Sequence, residues 1–161
     1  MMIAIYCPDD SAPVSAAGRT VYTAPELLAQ AKAAFIEIGE IRQTDLLREI
    51  ADVPGLRWRL GLAQAEESVK SVRNRASALA KLLLAEQDDC VVVGPPKFLP
   101  FLIRALERNG CCTRRSGSGA IRPGERIRVT EKKDHCGGCQ HNCLLSNPGC
   151  GVGRDKASRG Y

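Results

Sequence analysis

Two short apolar runs, MIAIY at residues 2–6 and CVVVG at residues 90–94, constrain this chain more than any other feature. Neither alternates with polar residues. The first is stopped by Pro8-Asp9-Asp10, and Pro95 follows the second. A continuous apolar run of four or five residues bounded by turn formers reads as a strand buried on both faces. CVVVG is therefore expected at the centre of a sheet, with MIAIY as a second buried strand.

Helical signals fall between and after these runs. Pro25 opens PELLAQAKAAF with proline at a helix start, and places Leu27, Leu28, Ala31 and Phe35 at helical spacing. AEESVKSVRNRASALAKLLLAEQ gives the clearest amphipathic helix, with Val69, Val72, Ala76, Leu79 and Leu83 on one stripe. FLPFLIRALERNG gives another, closed by Gly110. IEIGEIRQT (36–44) alternates as a strand, and ERIRVTE (125–131) reads as an edge strand with its charges outward. SAPVSAAGR reads as a loop or a short helix start, RRSGSGA reads as a loop, and the stretch around the single Trp58 is irregular. Strands alternating with helices predict an α/β domain with helices layered on a mostly parallel sheet.

The chain has 161 residues, enough for one domain and a small appendage. Its first ten residues, MMIAIYCPDD, lack the basic and apolar regions of a secretion signal, and no uncharged apolar stretch is long enough to span a bilayer. The expectation is a soluble cytoplasmic protein without a membrane partner. The charge is uneven. Residues 1–112 carry 13 Lys and Arg against 14 Asp and Glu, whereas residues 113–161 carry 10 against 4, so the net charge of +5 belongs to the C-terminal part. Such an excess suits an anionic partner, nucleic acid included, or offsets thiolate charge.

Several segments, taken in order, resemble the histidine phosphatase superfamily, the phosphoglycerate-mutase-like fold. PVSAAGR is similar to that family's glycine turn and VYTAPELLAQAKA to its Ser-Pro helix start. LLREIADVPGLRWRLG is similar to its mid-domain insert. EESVKSVRNRASALAKLLLAEQDDCVVVGPPKFLPFLIRALERNG follows its Glu-Ser…Arg helix, buried strand and next helix, and PGERIRVTEKK its last strand. The resemblance spans roughly residues 2–130 and implies a three-layer α/β sandwich.

It also implies where chemistry would sit, and there the chain departs from the family. The family transfers phosphate through a pocket of two arginines and two histidines, one histidine being the nucleophile. Cys7 stands at the first arginine position, Pro8 at the nucleophile, Leu28 at the helix-start arginine and Pro95 at the second histidine. No histidine precedes His135, so no shift of alignment restores the nucleophile. Proline cannot accept a phosphoryl group, and leucine cannot hold one. Glu49 is the carboxylate expected near this degenerate pocket, although a surface glutamate is the commoner reading. Cys7 and Cys90 read as small buried residues, and Cys111-Cys112 as packing after a helix cap. The resemblance thus implies a phosphatase-like domain without phosphatase chemistry.

The remaining specific signal is DHCGGCQHNCLLSNPGC, in which Cys136, Cys139, Cys143 and Cys150 follow the spacing C-x2-C-x3-C-x6-C. His135 and His141 are possible substitutes for one thiolate. Thiolates three residues apart converge across a tight turn, and Gly137-Gly138 allow it. In a reducing compartment clustered cysteines point to metal rather than disulfides. Four ligands fit a structural zinc ion, and four thiolates fit a 4Fe-4S cluster. The spacing leaves that choice open. Residues 1–130 are expected to form the α/β domain and residues 131–161 a metal-stabilised irregular tail. The functions in competition are an inactive scaffold that binds a protein partner, an iron–sulfur redox or sensor protein, and a module that binds nucleic acid through its basic tail.

Overall fold

MIAIY and CVVVG lie side by side. The structure, a computed structural model, describes residues 1–50, 67–115 and 120–132. Strand β1 (Met2–Tyr6) pairs in parallel with β6 (Cys90–Val93), from Ile3 opposite Cys90 to Tyr6 opposite Val93. On the far side of β6 lies β3 (Thr20–Thr23), also parallel, followed by β5 (Glu40–Gln43). On the far side of β1 lies β8 (Arg126–Glu131), antiparallel, and then β7 (Cys111–Arg114). The sheet order is β5-β3-β6-β1-β8-β7, and β8 alone runs against the others. A separate pair joins β2 (Val14–Ser15) to β4 (Phe35–Ile36).

Helices cover the sheet because its central strands are apolar on both faces. Side chains alternate along a strand. Ile3 and Ile5 of β1, Cys90 and Val92 of β6 and Tyr22 of β3 therefore join one core cluster. That cluster also holds Val72, Ala76, Leu79 and Leu83 of α2 (Val69–Glu86) and Leu99, Leu102 and Leu106 of α3 (Leu99–Arg108). The alternate residues Tyr6, Val21, Val91 and Val93 join a second cluster with Ala31 and Ala34 of α1 (Leu28–Ala34) and with Phe35. Ser68 caps α2 by accepting a hydrogen bond from the Ser71 N–H at 3.1 Å. Gly110, at φ +88°, takes the left-handed conformation that ends α3. The outcome is an α/β fold on a mostly parallel six-stranded sheet. No helix among the described residues is long and apolar enough to cross a membrane.

Four expectations need correction. ERIRVTE is not an edge strand, because β8 is paired on both sides. Cys111-Cys112 does not merely follow a cap, because both residues lie in the edge strand β7. Residues 21–23, likened with the residues after them to a helix start, belong to the inner strand β3. Phe35, placed on the helical stripe, begins β4, yet it is still buried, with its ring 5.3 Å from that of Tyr6 in an edge-on arrangement. Within residues 36–44 the sheet strand covers only Glu40–Gln43. The stretch around Trp58 and the segment holding His135, Cys136, Cys139, His141, Cys143 and Cys150 lie outside the described residues.

Candidate functional site

In open parallel sheets ligands bind beyond the carboxyl ends of the strands, where loops from neighbouring strands meet. Here β3, β6 and β1 end level, since Thr23 and Tyr6 both lie opposite Val93. The four positions singled out in the sequence follow these ends. Cys7 and Pro8 leave β1, Pro95 leaves β6, and Leu28 opens α1 after β3 and a short 3-10 turn at Pro25–Leu27. The topology thus brings to one edge the residues marked out by sequence.

That edge is filled with carbon. Cys7, Ala24, Leu47, Ile50, Phe98 and Leu99 all belong to the first core cluster, and none is more than 4 % exposed. Gly94, directly after β6, shows how tight the packing is. A Cβ there would lie 2.8 Å from Leu99 Cδ2 and 3.1 Å from Leu47 Cδ2. Pro95 is buried, and its carbonyl accepts from the N–H groups of Phe98 and Leu99 at 3.1 and 3.2 Å, which starts α3. Leu28 and Pro8 are half-buried.

The charges that act on Cys7 are acidic. Cys7 donates its N–H to the Glu125 carbonyl at 3.3 Å and accepts from the Gly124 N–H at 2.8 Å. Burial, followed by the carboxylates of Asp9, Glu125 and Glu49, pushes the Cys7 thiol up to about 11. A thiol so placed stays protonated at neutral pH and is a poor nucleophile. Hydrogen bonds from Ser11 and Tyr6 hold Asp9 below the usual carboxylate range, the Tyr6 hydroxyl donating at 2.6 Å. Gly124, at φ +81°, lies so close that a Cβ would run into the Asp9 carboxylate. Glu49 is exposed, and its carboxylate accepts from the Ile50 N–H at 3.1 Å. Lys97 is exposed.

Among the described residues one guanidinium is buried near this edge, and it is already committed. Arg75 of α2 donates from Nε and Nη2 to the two carboxylate oxygens of Glu67 at 3.2 and 3.0 Å. Its Nη1 donates to the carbonyls of Leu46 at 3.1 Å and Arg48 at 2.6 Å. Four of its five N–H groups are used in this way. Its Cζ lies 4.5 Å from the centre of the Phe98 ring, and both side chains of the ion pair are 6 % exposed. The pair ties the start of α2 to the 3-10 turn at Asp45–Leu47. Sequence reasoning missed it, although a signal was present. Arg75 falls on the apolar stripe between Val72 and Ala76, and a charge there requires a buried partner.

Two further buried thiols, Cys90 and Cys111, are also quiet. Burial raises Cys90 to about 12 and Cys111 to about 11. Among the described residues no group of three or more His, Cys, Asp or Glu converges as a metal site would. Comparisons with protein-family models, with curated proteins and with solved structures find no match to this chain.

Proposed function

We propose that this chain is a catalytically inactive, phosphatase-like protein that acts by binding, with a metal ion folding its C-terminal segment. The observation that carries the first part is the apolar filling of the carboxyl edge. Phosphoryl transfer needs preorganised cations and a nucleophile around a cavity for the phosphoryl group. The loops at this edge present Cys7, Pro8, Leu28 and Pro95 instead, Leu47 and Leu99 crowd onto Gly94, and the buried guanidinium is neutralised by Glu67. A fold that keeps its frame without its chemistry suits a scaffold for a protein partner.

The second part rests on cysteine spacing. Cys136, Cys139, Cys143 and Cys150 would supply four thiolates, with His135 or His141 as the alternative nitrogen donor. Zinc is the proposed ion, because closed four-ligand sites of this kind fold segments that have no core. A 4Fe-4S cluster is the competing occupant and would make the chain a redox or sensor protein. Metal analysis of protein purified without oxygen decides between them. The expected result is one zinc per chain and no visible absorbance, with the metal lost in Cys139→Ser. A brown protein containing iron selects the cluster, and full-length protein with no bound metal overturns both.

A further inference from the structure

Among the described residues, the second face of the sheet is only half covered. The cluster on that face contains residues of β1, β3 and β6 but none of β7 or β8. Strand pairing determines which side chains share this face. Tyr6 lies opposite Arg126, Ala4 opposite Arg128, and Arg128 opposite Arg114. Directly opposed residues point the same way, and Tyr6 belongs to the second cluster. Arg114, Arg126 and Arg128 therefore project together from the uncovered half, while Ile127 and Val129 point into the first cluster. All three arginines are exposed. The Arg126 guanidinium lies 6.0 Å from the centre of the Tyr6 ring, which confirms the side it occupies.

Residues two apart on a strand are separated by roughly 7 Å and opposed residues by roughly 5 Å, so three guanidiniums stem from a small, nearly flat area. Like charges directly opposed, as Arg128 and Arg114 are, disfavour the sheet. The ion pairs among the described residues engage Arg42, Arg75 and Arg115 and leave these three out. Nearby acids are occupied elsewhere. Glu125 holds Arg115 at 2.7 Å and Asp89 accepts from the Met2 N–H at 2.7 Å, while Asp9 is bonded to Tyr6 and Ser11 and feels the Arg126 charge without an ion pair to it.

The patch fits a polyanion better than it fits a protein. Protein interfaces centre on buried apolar or aromatic anchors. Among the described residues the exposed large apolar side chains are Ile36 in β4 and Leu82 on α2, neither of which is in β1, β7 or β8. A phosphate backbone needs no such anchor, and guanidinium forks match phosphate oxygens. Single strands are usually held by stacking bases on exposed rings. Among the described residues, the rings in this face's cluster, Tyr6 and Phe35, are 4 % and 8 % exposed and offer none. We propose that the Arg114–Arg126–Arg128 face binds the phosphate backbone of a nucleic-acid duplex without reading its sequence. The proposal does not depend on the metal or on the loss of phosphatase chemistry.

Fluorescence anisotropy of the full chain with a labelled duplex of about 20 base pairs tests it. Three phosphate contacts predict a log–log salt slope of about 2.7, so affinity weakens about twentyfold between roughly 50 and 150 mM salt. Arg114→Gln, Arg126→Gln and Arg128→Gln, each with an unchanged circular dichroism spectrum, lower that slope by about one apiece. The triple variant weakens low-salt binding at least tenfold. Neutralising Lys133, Arg154 and Lys156 leaves the slope within one of its original value. The proposal is overturned by an absence of duplex binding at low salt, by a triple variant that still binds, or by loss of binding in the tail variant alone. Tighter binding of a single strand or of an acidic polypeptide than of the duplex overturns it as well.

Discussion

Replacing Arg75 with alanine probes the interior at its most polar point. The substitution leaves the Glu67 carboxylate, 6 % exposed, without its cation and strips the charged donor from the Leu46 and Arg48 carbonyls. It also removes the guanidinium stacked 4.5 Å from the Phe98 ring centre. Removing one member of a buried pair costs roughly 3–5 kcal/mol, because an unpaired charge is left out of water. Against a total stability of roughly 5–15 kcal/mol the variant stands near the edge of folding. With a urea dependence of roughly 2 kcal/mol per molar, the unfolding midpoint drops by roughly 2 M at unchanged slope, as followed by far-UV circular dichroism. The double variant Glu67→Gln/Arg75→Met removes both charges and regains at least roughly 1 kcal/mol relative to Arg75→Ala. If Arg75→Ala lies within roughly 1 kcal/mol of the parent and the double variant is no better, the pair is not dry. Arg75 would then be free to serve a ligand, and the reading of the carboxyl edge as spent would fail.

Two further outcomes follow from the packing. Gly94→Ala places a methyl group against Leu99 and Leu47 and destabilises by roughly 1–3 kcal/mol, and Leu99→Ala in the same chain relieves part of that overpacking; two additive losses would contradict it. The thiols of Cys7, Cys90 and Cys111, raised by burial to about 11, 12 and 11, make stability fall at alkaline pH. Their contribution is fully present below about pH 9, where thiols are protonated in both states, and is lost as the pH climbs towards 11 and 12. Tyr6 and Tyr22 are shifted in the same direction by burial, so comparison with Cys90→Ala isolates a thiol. An identical alkaline slope in that variant would count against its buried setting.

What the sequence made legible follows from what each pattern reports. Continuous apolar runs report burial on both faces, and MIAIY and CVVVG are indeed the neighbouring inner strands. Alternation reports faces and not edges. ERIRVTE looks the same whether its second edge meets solvent or another strand, so the partner β7 stayed hidden. β7 is also only four residues long and half polar, too short to show a period. Thr20–Thr23 was masked by the helix signal at Pro25 directly after it. Phe35 shows burial and conformation coming apart, since helical spacing found its depth and missed its strand. At the candidate site, the positions of Cys7, Pro8, Leu28 and Pro95 at the strand ends were legible in the order of strands and turns. The pairing of Glu67 with Arg75, and the gathering of Arg114 with Arg126 and Arg128, depend on strand register and helix packing, which no local pattern carries.

The central claim, a phosphatase-like edge without phosphatase chemistry, meets its most direct test in turnover of an aryl phosphate by the purified full chain. The account predicts a rate indistinguishable from buffer across the neutral pH range, unchanged in Glu49→Gln and Lys97→Gln. Turnover that persists through further purification and disappears in either variant would contradict it.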